Sequence, residues 1–126
     1  MRYVIDGPVR DVLVCHCDAC IEATGGPWAA SAATREDLVV AEPGAVVWNR
    51  ARISEHDASR GSCRSCGTVI FWDAPTRPTV SFAAKTLGDQ SQLEVVGHIW
   101  LGDRPVPAGP SYPRGLPAFV AVPWRR

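Results

Sequence analysis

Five cysteines in two tight groups are the residues of this 126-residue chain best suited to chemistry. Cys15, Cys17 and Cys20 form the first group, and Cys63 and Cys66 form the second. Two thiolates three positions apart on a tight turn can point at one metal ion, and zinc binds cysteine thiolates. The odd number of cysteines fits a disulfide framework poorly, and such tight clustering is unlike that of isolated core thiols. The spacing therefore predicts that the chain binds Zn²⁺ through cysteine thiolates, with all five cysteines as candidate ligands.

The two cysteine groups allow two arrangements of ligands. Alternate side chains share a face in extended backbone, so Cys15 and Cys17 can aim at one point, which Cys20 reaches from the following turn. Three thiolates would leave zinc one open position, as in a catalytic site. Alternatively, Cys17, Cys20, Cys63 and Cys66 close a single four-thiolate structural site, and Cys15 is left over. The spacing leaves both arrangements open.

The three histidines are not predicted to bind the metal. His16 alternates with Cys15 and Cys17, so it should point away from the metal and act as a spacer. His98 lies between apolar residues and is predicted to be a hydrogen-bonded core residue rather than a proton carrier. His56 is predicted to lie on a surface loop.

Arginine and tryptophan side chains offer secondary candidates. Arg60 and Arg64 flank the second cysteine group and could offset thiolate charge or meet a substrate carboxylate, but a solvated surface is the expectation for both. Gly67 follows Cys66 and is predicted to give the turn a positive φ. Four of the tryptophans are expected to be core residues rather than a substrate platform. These are Trp28, Trp48, Trp72 and Trp100.

The composition is that of one globular domain, predicted to span residues 1–126. Lys+Arg and Asp+Glu both number 13, which argues against a nucleic-acid surface because phosphate binding needs an excess of basic charge. The N-terminus carries charges where a signal peptide would be apolar, and no apolar run approaches the length of a membrane span. We therefore expect a cytoplasmic protein with reduced thiols and without nucleic-acid or membrane partners.

The elements that must position the cysteines are predicted to be short strands. Gly and Pro, 11 residues each, divide the chain into pieces too short for long helices. Helical turns are predicted at 19–24 and 34–37, and a proline-rich loop at 103–117. A mainly β fold of short antiparallel sheets with long loops follows. The predicted strands are 2–6, 11–14, 28–33, 38–40, 45–48, 69–72, 79–83 and 119–122.

Four segments of the chain resemble the glutathione-dependent formaldehyde-activating enzyme family, also called the CENP-V/GFA domain. RYVIDGPVRDVLVCHCDACIEATGGPW resembles the family's first strand and CHCxxC motif, and RGSCRSCGTVIFW resembles its CxxCGT motif. LGDQSQLEVVGHIWLGDR resembles its His-Ile-Trp segment, and GLPAF its Leu-Pro element. This resemblance implies an Mss4-like zinc-binding fold.

The resemblance also implies two zinc ions. The catalytic ion would be held by Cys15, Cys17 and Cys20, and the structural ion by Cys63 and Cys66 together with an N-terminal Cys-x-Cys-Gly motif. The given sequence lacks that motif: Arg2 and Tyr3 match the residues that follow it in the family. Either the true start lies upstream, or one zinc is shared between the two groups. Five cysteines cannot complete a second thiolate tetrahedron, so about one tightly held zinc per chain is expected.

The activity implied by the resemblance is that of a zinc-dependent carbon–sulfur lyase. Such an enzyme adds a thiol such as glutathione reversibly to formaldehyde or another small aldehyde, so a small-molecule thiol and an aldehyde would be its partners. An open zinc position suits this reaction, since it could hold the thiol as a thiolate or polarise the aldehyde oxygen. The alternative is a non-catalytic zinc-binding β-domain that binds a protein or a small-molecule partner.

Overall fold

The computed structural model describes residues 1–51, 57–102 and 116–119. One α-helix, α1 at Asp18–Thr24, and ten strands lie within these residues, with short 3-10 turns at Arg35–Asp37, Pro43–Ala45 and Ala84–Thr86. The strands are β1 Tyr3–Ile5, β2 Val12–Cys15, β3 Trp28–Thr34, β4 Leu38–Val40, β5 Val46–Arg50, β6 Ser59–Cys63, β7 Val69–Asp73, β8 Thr79–Ala83, β9 Val95–Ile99 and β10 Ala118–Phe119. The prediction of a mainly β fold is confirmed.

The strands form one large mixed sheet and one small antiparallel sheet. The large sheet has the order β10-β9-β2-β3-β8-β7-β6-β5, and the small one pairs β1 with β4. Strand β9 runs parallel to both of its neighbours, β2 and β10, whereas the other pairs are antiparallel. The parallel pairing of β9 with β2 sets Ile99 beside Cys15.

Each face of the large sheet has its own core, because side chains alternate between the two faces of a strand. We call the face that carries Leu13, Cys15 and Trp28 the thiol face; these residues pack with Cys20 and Ile99 in one buried cluster. The opposite face is covered by the small sheet, and its buried cluster is the more aromatic of the two. That cluster contains Ala33, Val46, Ile70, Phe71, Val80 and Phe82, with Tyr3, Leu38 and Cys63 among the side chains packed against it.

Most predicted elements agree with the structure to within one or two residues. The predictions for β4 and β8 match exactly, and the helical turns predicted at 19–24 and 34–37 become α1 and the first 3-10 turn. Of the strand predicted at 119–122, the structure describes Phe119, the last residue of β10. The loop predicted at 103–117 lies outside the described residues except for its last two positions, and His56 also lies outside them.

Two strands, β6 and β9, have no counterpart among the predictions. Strand β6 reads Ser-Arg-Gly-Ser-Cys, which lacks apolar alternation, yet it lies between β5 and β7. The side chains of its neighbours cover it: a Cβ at Gly61 would lie 3.0 Å from the Trp48 ring. Strand β9 contains Gly97 and His98, which weaken its strand pattern in the sequence.

The expectation that the tryptophans are core residues is wrong for two of them. Trp28 is buried, but Trp48 is 46% exposed and Trp100 is 58% exposed. Trp48 instead stacks its ring on Phe71 at a centroid distance of 5.9 Å. Trp100 has a φ of 58°, a strained value for a bulky residue, at the point where the chain leaves β9.

The described residues contain no helix that is both long and apolar enough to cross a membrane.

Candidate metal centre

The three cysteines of the first group converge at the end of β2. Cys15 is the last residue of this strand and lies between Trp28 on β3 and Ile99 on β9. Cys17 is the N-cap of α1, and Cys20 lies in the first turn of that helix. Their three sulfur atoms all lie within 4.8 Å of one another. The prediction that alternation and a following turn bring Cys15, Cys17 and Cys20 to one point therefore agrees with the structure.

Local sequence explains why the chain turns here. All four residues of β2 are buried, so the strand is anchored in the sheet up to Cys15. The backbone N–H of Cys20 donates to the Cys17 sulfur at 3.3 Å, which caps the first turn of α1. Gly25 ends the helix with a φ of 81°, and its N–H donates to the Ile21 carbonyl at 2.8 Å. The helix thus holds two sulfur atoms against the end of the strand.

The thiols of Cys15 and Cys20 differ in how readily they lose a proton. The Cys20 thiol donates to the Cys15 sulfur at 3.4 Å. This hydrogen bond, aided by Cys17 and the positive charge of Arg60, lowers the pKa of Cys15 to about 6 despite its burial. Donation to Cys15 and burial both raise the pKa of Cys20. Cys15 therefore ionises more readily than an ordinary cysteine, and the thiolate is the form in which cysteine binds metals.

The sulfur geometry fits a tetrahedral metal ion. Zinc bound by thiolates at about 2.3 Å places the sulfur atoms roughly 3.8 Å from one another. The Cys15–Cys20 sulfur separation of 3.4 Å and the 4.8 Å limit on all three pairs agree with that spacing after small adjustments. Three protein ligands leave one tetrahedral position for an outside ligand.

Arg60 reaches this cluster from β6, the second strand from one edge of the large sheet, and the expectation that it is a solvated surface residue is wrong. It is 9% exposed, and its Nη2 atom lies 3.8 Å from the Cys20 sulfur. Arg64 does conform to the expectation: it is exposed, and its Nε donates to the Gly44 carbonyl at 2.9 Å. Arg60 is near the second cysteine group in sequence, but the sheet carries its side chain to the first group.

The second cysteine group lies apart from the first. Cys63 ends β6 and packs against the core of the opposite face, whereas Cys15 and Cys20 belong to the thiol-face core. Within the described parts of the chain, Cys15, Cys17 and Cys20 are the one group of three or more potential ligands this close together. The structure therefore does not form the shared four-thiolate site, and metal binding by Cys63 and Cys66 stays a prediction.

The turn between Cys63 and Cys66 does have the form expected from the sequence. Gly67 has a φ of 77°, as predicted, and its N–H donates to the Cys63 carbonyl at 2.8 Å. The Cys66 sulfur is exposed and lies 3.3 Å from the Thr68 hydroxyl. Hydrogen bonding from Thr68, with a smaller contribution from Cys63, lowers the pKa of Cys66 to about 7.

His16 and His98 form a buried pair. His16 Nε2 lies 2.9 Å from His98 Nδ1, so one ring donates a hydrogen bond to the other. His98 pairs in register with Val14 and so belongs to the face opposite Cys15. The prediction that His98 is a hydrogen-bonded core residue is confirmed. His16 points away from the sulfur atoms as predicted, but it is a structural partner of His98 rather than only a spacer.

The fold and the site together define a mainly β protein with a buried three-cysteine centre suited to a metal ion. A sequence model of the family described as "Glutathione-dependent formaldehyde-activating enzyme" matches residues 1–103. Since this match covers most of the chain, the protein belongs to that family. Neither the curated proteins nor the solved structures contain a match to the chain.

Proposed function

We propose that this protein is a zinc-dependent carbon–sulfur lyase that adds a thiol such as glutathione reversibly to formaldehyde or another small aldehyde. The observation that carries the proposal is the convergence of three cysteine sulfur atoms within 4.8 Å, at the family's CHCxxC motif. Cys15, Cys17 and Cys20 would hold the Zn²⁺. The metal would supply a Lewis acid whose open position keeps a substrate thiol in its nucleophilic form near neutral pH.

The reaction needs no redox partner. The substrate sulfur forms a bond to the carbonyl carbon, the C=O π pair moves to oxygen, and that oxygen takes the proton that the thiol gave up. The product is an S-hydroxymethyl adduct, and the reverse reaction breaks the same C–S bond. The protein's contribution would be to position the two reactants and to hold charge at the sulfur centre.

The chain's own residues suit this task. Leu13, Trp28 and Ile99 surround the three sulfur atoms with apolar surface, which lowers the local dielectric and strengthens charge interactions there. Arg60 places a positive charge beside the sulfur atoms. Cys63 and Cys66 lie apart from this cluster, and we assign them a structural role, with any metal there bound less tightly.

Exchange spectroscopy by NMR tests the proposal. Zinc-loaded protein should accelerate exchange between glutathione and its formaldehyde adduct beyond the uncatalysed rate. Cys17→Ser should abolish the acceleration while keeping the fold, because serine caps a helix as well as the cysteine sulfur does. Arg64→Gln, which changes an exposed side chain, is the matched control and should behave as wild type. A wild-type rate equal to that of an unrelated zinc protein would instead support the non-catalytic β-domain.

A further inference from the structure

Arg60 brings a positive charge into the protein interior, where an uncompensated charge is costly. It lies on β6 directly opposite Trp72 of β7, and Trp72 packs against the thiol-face core. Opposite residues of an antiparallel pair share a face, so the Arg60 side chain lies on the thiol face too. Its guanidinium then needs an anionic or hydrogen-bonding partner there.

Among the described residues, the Cys20 sulfur is a hydrogen-bond partner of the Arg60 guanidinium. Ion pairs among the described residues join Arg35 to Asp73 and Arg50 to Asp57, and neither of these includes Arg60. Arg10, the other buried arginine, satisfies its guanidinium with the backbone carbonyls of Asp11 and Ala30. Arg60 instead has its hydrogen bond at the Cys20 sulfur, 3.8 Å away. Its charge is therefore balanced by the cysteine cluster.

The net charge around the three-cysteine centre shows how Arg60 would affect ligand binding there. Three thiolates around a divalent ion carry a net charge of −1, and Arg60 brings the local total to zero. A neutral ligand at the open position leaves that total unchanged. A thiolate ligand would bring the total to −2 without Arg60 but only to −1 with it. Arg60 should therefore favour an anionic ligand much more than a neutral one.

We propose that Arg60 is a positioning residue that selects a thiolate over neutral ligands at the open position of the three-cysteine centre. This inference rests on the proposed function and deepens it: the thiol, and not the uncharged aldehyde, is the reactant that the centre binds directly.

Ligand titrations of the cobalt-substituted protein test this role without measuring activity. Co²⁺ in a thiolate site absorbs visible light, so 2-mercaptoethanol and imidazole can be titrated at pH 8 and their dissociation constants compared. Arg60→Gln should weaken 2-mercaptoethanol binding by about tenfold and leave imidazole binding within about twofold. Arg60→Lys should restore most of the thiol affinity, and the exposed control Arg64→Gln should leave both constants unchanged.

The outcomes separate the inference from the proposed function. Wild-type protein that binds cobalt but no thiol would overturn both. Wild-type thiol binding that Arg60→Gln leaves intact, or equal weakening of both ligands, would overturn the role of Arg60 alone, since a purely structural residue affects both ligands alike. Arg60→Met, which keeps much of the aliphatic length, is a second neutral variant should Arg60→Gln fail to fold.

Discussion

The buried histidine pair shows how a single contact can couple stability to pH. His98 is 0% exposed, and burial lowers its pKa below the usual 6.5. The native state therefore favours neutral His98, whereas the unfolded chain takes up a proton at this residue near pH 6.5. Between pH 6.5 and the lower native pKa, the unfolded state binds more protons, so the free energy of unfolding must fall as pH falls.

We predict that His98 makes a measurable contribution to this loss of stability. Urea unfolding of wild type should give a free energy that declines below pH 6.5, with at most about 1.4 kcal/mol per pH unit from His98, added to the decline with falling pH that the lowered pKa of Cys15 causes. His98→Asn, whose amide can take the place of Nδ1 toward His16, should show a smaller decline. Parallel declines in the two proteins would show that His98 does not titrate differently in the native state.

At the level of elements, β9 positions the site because it is held on both sides. It pairs with β2 beside Cys15 and with β10 through His98 and Ile99. Gly97 makes the pairing of β9 with β10 possible. A Cβ at this position would lie 2.4 Å from the Phe119 ring and 2.9 Å from the Pro117 carbonyl oxygen. The backbone at Pro117 cannot yield easily, because its carbonyl accepts the His98 N–H at 2.9 Å.

Gly97→Ala should therefore separate β10 from β9. We expect a loss of about 1–3 kcal/mol in the free energy of unfolding, the usual cost of overpacking. Gly88→Ala is the matched control: a Cβ there meets nothing within 4 Å, so its effect should stay within about 0.5 kcal/mol. Chemical denaturation of the two variants measures the difference. Equal stabilities would mean that β10 does not pack on β9 as described.

Sequence patterns predicted the elements that carry their own signal and missed those defined by their neighbours. Apolar, β-branched segments such as β4 and β8 were predicted exactly, because residues of this kind pack well in a sheet. Strand β6 has a polar, glycine-containing sequence and is a strand because β5 and β7 flank it. No local pattern could show this, since the pairing joins distant parts of the chain.

The candidate metal centre was likewise predicted only where its residues are close together in sequence. Cys15, Cys17 and Cys20 are close in sequence, so alternation along a strand and one helical turn predicted their convergence. Arg60 joins them from 40 residues away, through the strand order between β2 and β6. Its burial was invisible in the sequence, where arginine is ordinarily a surface residue.

At the scale of the whole molecule, the sheet separates two kinds of cysteine. The thiol face carries the three-cysteine cluster and the Arg60 charge, whereas Cys63 packs on the opposite face with Cys66 exposed beyond it. Three thiolates bind a metal ion much more tightly than two, since each thiolate adds a charged, soft ligand. We therefore predict that one tightly held metal ion binds on the thiol face.

Metal content after a chelator wash tests this claim most directly. Inductively coupled plasma mass spectrometry should find about one zinc per chain in wild type, about one in Cys66→Ser and nearly none in Cys17→Ser. Circular dichroism should show that both variants keep the fold. Two retained zinc ions in wild type, or loss of the ion in Cys66→Ser but not in Cys17→Ser, would contradict the account.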